Sequence, residues 1–184
     1  PWVVRWPGVT KSGTRDAKHY VTGIDFAPTV LEICGLELHD MDGRSFVPLL
    51  RGEEREGPER AFTVYGGNAS GRRYPTRCVH DGRFGYVYNA WSDGKLAMRT
   101  EAMVGLTWAA LEDAAKEDPE IAARVQTYLF RTPEELYDLD ADPSCLSNLA
   151  RDPAHRERLM SLRSELGEWM TRTEDPLGEP YNRR

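Results

Sequence analysis

Hydrophobic positions alternate between helical and strand spacing along this chain, and each change marks a different kind of element. Over 20–35, Ile24, Ala27, Leu31 and Cys34 recur at helical spacing with Val30 beside them. Thr22, with Asp25 three residues on, forms a variant of the capping box, and Pro28 is early enough to be tolerated. Gly35 stands where a left-handed residue closes a helix, so the spacing predicts an amphipathic helix of about three turns. Met41-Asp42-Gly43 then reads as a turn, Ser45 as a cap, Phe46 to Arg51 as one or two further helical turns, and Gly52 as their stop. Upstream, the apolar run Trp2 to Arg5 reads as a buried strand that Pro7-Gly8 ends.

After a charged surface linker, Glu53 to Arg60, the period falls to two. Ala61 to Tyr65 alternates as a strand, Gly66 to Gly71 is a polar loop, and Tyr74 to His80 is a second strand with Pro75 at its beginning. Asp81-Gly82 is a hairpin signal, and Phe84, Tyr86 and Tyr88 place three aromatics on one face of the returning strand. Ala90 to Lys95 is a loop. Helical spacing then returns, first over roughly Thr100 to Lys116 and next after Asp118-Pro119, where Ile121, Val125 and Tyr128 or Leu129 repeat. Glu135 to Leu139 supplies a fourth strand, and Asp142-Pro143 a turn. Asp152-Pro153 opens a last helix with Leu159, Leu162, Leu166 and Trp169 on one stripe, most simply the face that covers the sheet. The tail from Asp175 is rich in Pro and charge and is expected to lie over the surface.

The fold class is therefore α+β. At 184 residues and 40% apolar composition the chain can build a core. It has no apolar run long enough to span a bilayer, and the net charge of −6 has no basic stripe longer than Arg72-Arg73, which argues against membrane and nucleic-acid partners. Cys34, Cys78 and Cys145 are widely spaced and odd in number, so the expectation is reduced thiols rather than a disulfide framework or zinc site. Pro1 opens directly on Trp-Val-Val with no initiator Met and no signal peptide, which suggests a piece of a longer polypeptide. Any localisation signal would then lie upstream, and the compartment is unread.

Four motifs in one order carry a resemblance: an apolar run ending in R-W-P-G, then D-x-A-P-T-x-L from Asp25, then M-D-G-x-S-x-x-P-L-L-x-G from Met41, and far downstream E-L-Y-D-L from Glu135 with Asp142-Pro143 and Asn148-Leu149-Ala150. Together they resemble the later part of a sulfatase, a member of the alkaline-phosphatase-like superfamily. Tyr74-Pro75-Thr76-Arg77, Arg83-Phe84, Tyr88-Asn89 and the tail Thr173 to Pro176 are similar to the heparan N-sulfatase (N-sulfoglucosamine sulfohydrolase) branch. The resemblance implies that residues 1–60 are the C-terminal edge of the sulfatase α/β core, a remnant strand with its helices. Residues 61–184 would be a small four-stranded antiparallel sheet packed by a C-terminal helix.

What the resemblance implies chemically is largely missing from this chain. A sulfatase uses a formylglycine made from Cys or Ser in a C/S-x-P/A-x-R motif, and a calcium ion held by carboxylate and amide oxygens, the ligands a hard cation prefers. Cys34 is followed by GLEL, Cys78 by VHDG and Cys145 by LSNL; Ser12 and Ser45 fail as well, and no adjacent Asp-Asp pair exists. No catalytic residue and no metal ligand is therefore assigned here, and this chain alone is expected to be inactive. Its partners are a missing N-terminal sulfatase portion and, in that parent, a sulfated small molecule or glycan. The strand and helix of residues 1–35 would expose apolar surface if this piece stood alone.

Candidate substrate-binding residues are Asn68, Arg72 and Arg73 of the polar loop and His80 of the following strand. Guanidinium groups bind sulfate or a uronic carboxylate through paired N–H donors. A solvated turn with two surface arginines is the plainer reading of the same residues. Arg77 lies on the strand face opposite His80. Histidines 19, 39, 80 and 155 lack metal-ligand spacing, and the aromatic run over 84–88 suits core packing better than sugar stacking. Other branches remain open, an arylsulfatase, a choline-sulfatase-like enzyme or a phosphonate monoester hydrolase, as does a non-catalytic carbohydrate-binding module.

Overall fold

The computed structural model describes residues 2–55, 57–68 and 71–183, and the chain divides into two compact units, Pro1–Ala61 and Phe62–Arg184. In the first unit a single 3-10 turn, Gly23–Asp25, runs into helix α1 (Phe26–Ile33), and a second short helix, α2, covers Val47–Arg51. The Thr22 capping box forms, with the Thr22 amide donating to Asp25 Oδ2 at 2.9 Å.

Two expectations for this unit are corrected. Trp2 to Arg5 forms no strand and is exposed. A strand needs a neighbour for its N–H and C=O groups, and the one sheet found among the described residues belongs to the second unit. Trp2 instead stacks on Phe26, ring centroids 5.7 Å apart and nearly parallel, and its indole N–H donates to the Val21 carbonyl. Within this unit α1 covers its polar side and leaves the apolar stripe open, as expected of this piece standing alone. Asp25, Pro28 and Thr29 are inside, whereas Ile24, Ala27, Val30 and Cys34 are exposed.

Hydrogen bonds choose that face. Asp25 Oδ1 accepts the Arg44 amide at 2.8 Å; Thr29 Oγ1 donates to the Asp25 carbonyl at 2.6 Å and accepts the Phe46 amide at 3.0 Å. The turn at 41–45 is thereby fastened to the start of α1, which puts Phe46 and Val47 in the interior. Each such bond contributes about 1 kcal/mol, and leaving its buried partner bare costs more. The linker is corrected too: the Arg55 side chain is only 7% exposed, its guanidinium 3.7 Å from Asp25 Oδ1.

The second unit is built on one sheet in the order β1 (Ala61–Gly67), β2 (Arg73–His80), β3 (Phe84–Asn89), β4 (Glu134–Asp138). The β2/β3 and β3/β4 pairs are antiparallel, with Val79 opposite Tyr86 and Tyr86 opposite Leu136. The hairpin between β2 and β3 turns on Gly82-Arg83 rather than Asp81-Gly82. His80 pairs with Gly85 and the Asp81 amide donates to the Phe84 carbonyl, while Asp81 Oδ1 accepts the amides of Arg83 and Phe84. Between β3 and β4 run α3 (Leu106–Ala114) and α4 (Pro119–Leu129). Asp118 caps α4 by accepting the amides of Glu120 and Ile121. Asp118→Ala is expected to cost about 1 kcal/mol of the second unit's stability, read as a lowered midpoint in urea with an unchanged slope.

One face of the sheet carries the core. Phe84, Tyr86 and Tyr88 pack with Val79 and Leu136 under α5 (Arg156–Arg172), against Leu159, Leu162, Leu166 and Met170. The aromatic run is therefore core, as its alternation suggests. Met170 is buried at the end of the stripe, and Trp169 stacks flat on Phe62 at 4.9 Å. The tail departs from expectation. Its helix α6 (Gly178–Asn182) puts Tyr181 into the core, where the ring packs edge-on to Tyr88 at 4.7 Å and the hydroxyl lies 3.1 Å from that of Tyr86. Asp175 turns inward as well and takes both guanidinium arms of Arg77, at 2.6 and 3.0 Å.

Candidate functional site

Residues 69 and 70 of the polar loop between β1 and β2 lie outside the described residues, and hydrogen bonds join the backbone on either side of them. The Gly71 amide donates to the Asn68 carbonyl at 3.1 Å and the Asn68 amide to the Arg72 carbonyl at 3.3 Å. Glycine is required at 67 by that approach, since a Cβ there would sit 2.4 Å from the Arg72 carbonyl oxygen. Arg72 and Arg73 are exposed. Neither side chain forms an ion pair among the described residues.

The loop rests on the segment that follows β3. Asn68 Nδ2 donates to the Arg99 carbonyl, and the Arg99 amide donates to the hydroxyl of Tyr74 at 2.9 Å. Tyr74 is buried, with its ring edge-on to Trp91 at 4.8 Å. The Trp91 indole N–H reaches Thr76 Oγ1, which in turn donates to Asn89 Oδ1 at 3.0 Å. The segment is held beside Arg99 too, by the Met98 amide on the Leu129 carbonyl at 2.7 Å. Trp91 and Arg99 did not stand out in the sequence, and Tyr74 did so only as part of the Tyr74-Pro75-Thr76-Arg77 motif. Beyond that motif their only local signal is aromatic content beside a turn, and the pairing that joins them spans 25 residues.

His80 does not join this group. It lies at the opposite end of β2 from Arg73, seven residues or about 23 Å along an extended strand. Burial also holds its imidazole below the ordinary histidine value, the nearby Asp81 charge offsetting this only in part, so at neutral pH it offers no positive charge to an anion. Arg77 is committed to Asp175, as described above.

The sheet face away from α5 carries a polar cluster. Glu135, 2% exposed, accepts from Arg131, from Asn89 Nδ2 at 2.9 Å and from the Tyr137 hydroxyl at 3.1 Å. Burial first, and then the Glu135 carboxylate, push the Tyr137 phenol upward, so it stays protonated and donates. Burial likewise raises the thiols of Cys78 and Cys145, which makes them poor nucleophiles at neutral pH. A shallow cleft beside α6 is lined by Glu134, Met160, Arg163 and Tyr181, but Arg163 holds Glu134 through two N–H bonds of 2.9 and 2.8 Å and Tyr86 adds a third at 2.6 Å. That cluster is satisfied internally.

No group of three His, Cys, Asp or Glu among the described residues could hold a metal ion. The described residues therefore offer calcium no such cluster, and none of the three cysteines stands in a formylglycine motif. No helix among the described residues is long and apolar enough to cross a membrane.

The family described as N-sulphoglucosamine sulphohydrolase, C-terminal, matches residues 1–87. An ulvan-active sulfatase of Formosa agariphila is 31% identical over 184 residues, covering 97% of this chain and 34% of its own length. The N-sulphoglucosamine sulphohydrolase of Homo sapiens is 29% identical over 191 residues, covering 96% and 37%. A 2-O GAG sulfatase of known structure shares the fold, with a TM-score of 0.54 at 22% identity over 82% of this chain and 25% of its own. The chain thus spans about a third of the length of the curated relatives it matches.

Proposed function

Because this chain belongs to the sulfatase family and resembles the C-terminal region of its members, we propose that it works as the C-terminal portion of a longer hydrolase of sulfate esters or N-sulfate groups. The observation that carries this is similarity over 97% of the chain to a sulfatase about three times as long. Residues 1–60 complete the α/β core, and residues 61–184 wall the cleft in which the substrate, a sulfated sugar, is held. The nucleophile, a formylglycine, and the calcium ion that neutralises sulfate oxygens are supplied by the rest of the protein. Support comes from the first unit's surface: Trp2, Val3, Ile24, Phe26 and Leu36 are all about half exposed or more, an apolar area that a self-sufficient binding module has no reason to keep.

In this reading Arg72 and Arg73 face the anionic substrate. The test is sulfate release from a sulfated oligosaccharide, measured on the full-length protein and on this chain alone. Release by the former and not by the latter is expected; full-length protein that releases no sulfate overturns the reading. Replacing Arg72 and Arg73 together by alanine is expected to raise KM about tenfold, the loss of charge-assisted hydrogen bonds, with kcat retained. An unchanged KM removes both arginines from the substrate site.

A further inference from the structure

Asn68 is held by the protein rather than offered to a ligand. Its backbone amide donates to the Arg72 carbonyl, its carbonyl accepts the Gly71 amide, and its side-chain amide donates to the Arg99 carbonyl. Arg99 is fixed from the other side as well, its amide on the buried Tyr74 hydroxyl. One asparagine thus ties together the backbones that carry Arg72, Arg73 and Arg99, all three exposed. Elsewhere in the second unit Arg77, Arg83, Arg131, Arg158, Arg163 and Arg183 each hold a carboxylate, whereas Arg124, Arg151, Arg156 and Arg172 hold none among the described residues. The three at this turn hold none among the described residues. The acids beside them do not alter this: Asp93 is occupied by the amides of Lys95 and Leu96, both at 2.8 Å, and Glu101 begins the next turn, two residues past Arg99.

A single exposed guanidinium adds little to binding, because water screens it and its long side chain must be ordered. Several on a backbone already fixed by hydrogen bonds lose less on binding, and they favour a ligand that carries more than one anionic group. We infer that Arg99 is a third anion-recognition residue beside Arg72 and Arg73, that Asn68 is its positioning residue, and that the ligand presents at least two sulfate or carboxylate groups on one oligosaccharide. The inference rests on the proposed sulfatase reading for the kind of molecule that bears those groups. That the three arginines are exposed, on backbones joined through Asn68, does not depend on it.

The experiment is a calorimetric titration of the protein at low ionic strength with a disulfated disaccharide, its desulfated counterpart and inorganic sulfate. The disulfated sugar is expected to bind about tenfold or more tightly than the sulfate ion, and the desulfated one not at all. Arg99→Ala should weaken the disulfated sugar about tenfold without moving the melting temperature, and Arg99→Lys should recover part of that loss. Asn68→Ala removes no charge, yet it should weaken the same sugar several-fold by releasing Arg99. Arg172→Ala, an exposed arginine of α5, should do nothing.

Binding by Arg99→Ala equal to the parent overturns the inference. So does equal weakening by Arg99→Ala and Arg172→Ala, which would mean attraction by net charge alone. Sulfate release by the full-length protein without this binding removes the site and leaves the sulfatase reading standing; binding without release does the reverse.

Discussion

Gly43→Ala is expected to unfold the first unit while leaving the second intact. A Cβ at this position would lie 2.0 Å from the Ile24 carbonyl oxygen, 2.4 Å from its carbon and 3.0 Å from the Asp25 nitrogen. All three are backbone atoms at the start of α1, so no rotamer change relieves the contact. The turn must retreat, and in retreating it draws the Arg44 amide off Asp25 and the Phe46 amide off Thr29. Overpacking of this kind costs about 1–3 kcal/mol, and each buried group left without its partner adds about 1–3 more. Hydrogen exchange of the 23–52 amides, or limited proteolysis, reads the effect separately for each unit. Gly57→Ala is the control, since a Cβ there meets nothing within 4 Å. Protection at 23–52 equal to the parent would show that the turn has room it does not have here. The same contact explains the glycine of the M-D-G-x-S motif: it and D-x-A-P-T are the two halves of one lock.

Asp175→Ala carries the other large effect, about 3–5 kcal/mol from the second unit, because it leaves the Arg77 guanidinium buried without its counter-charge. Both side chains are 7% exposed. Burial by itself pushes the Asp175 carboxyl up, but the hydrogen bonds from Arg77 and from the Leu177 amide, with the Arg77 charge, outweigh it and hold the group below the ordinary value of 3.8. A carboxyl depressed in the folded state stabilises fully above its unfolded value, near 3.9, and that contribution is lost as pH falls through the folded one. The parent should therefore lose stability below about pH 4 partly through this pair, and Asp175→Ala should lack that component. Replacing both partners, Arg77→Met with Asp175→Leu, should cost less than the single change, since no orphan charge remains. Denaturant midpoints across pH 3–7 decide the matter, and a double replacement as costly as the single would contradict it.

Elements that depend on neighbours in sequence were legible before the structure. The Thr22 and Asp118 caps, the three-aromatic strand and the Leu159, Leu162, Leu166 stripe each follow from groups within a turn or a strand repeat, and each formed. What was missed depends on distant partners. Trp2 to Arg5 has strand composition, but pairing is a property of two segments and the composition describes one. The side of α1 that this unit does bury is set by hydrogen bonds from Arg44 and Phe46, which lie 19 and 17 residues away from their acceptors. Arg55 and Asp175 look like surface charge in sequence, and only their partners bring them inside. At the candidate site the arginines of the loop were visible because they are adjacent. Arg99 was not, since only the Tyr74 hydroxyl and Asn68 bring it there.

The Tyr181 ring has a consequence for how the second unit is made. Its hydroxyl meets that of Tyr86 across a separation of 95 residues, and its ring fills the same core as Tyr88 and Leu166. On a ribosome the sheet strands emerge long before that ring does. Until residue 181 has been synthesised, the aromatic face of β3 has α5 at most for cover, and the chain presents a sticky intermediate of the kind that chaperones hold.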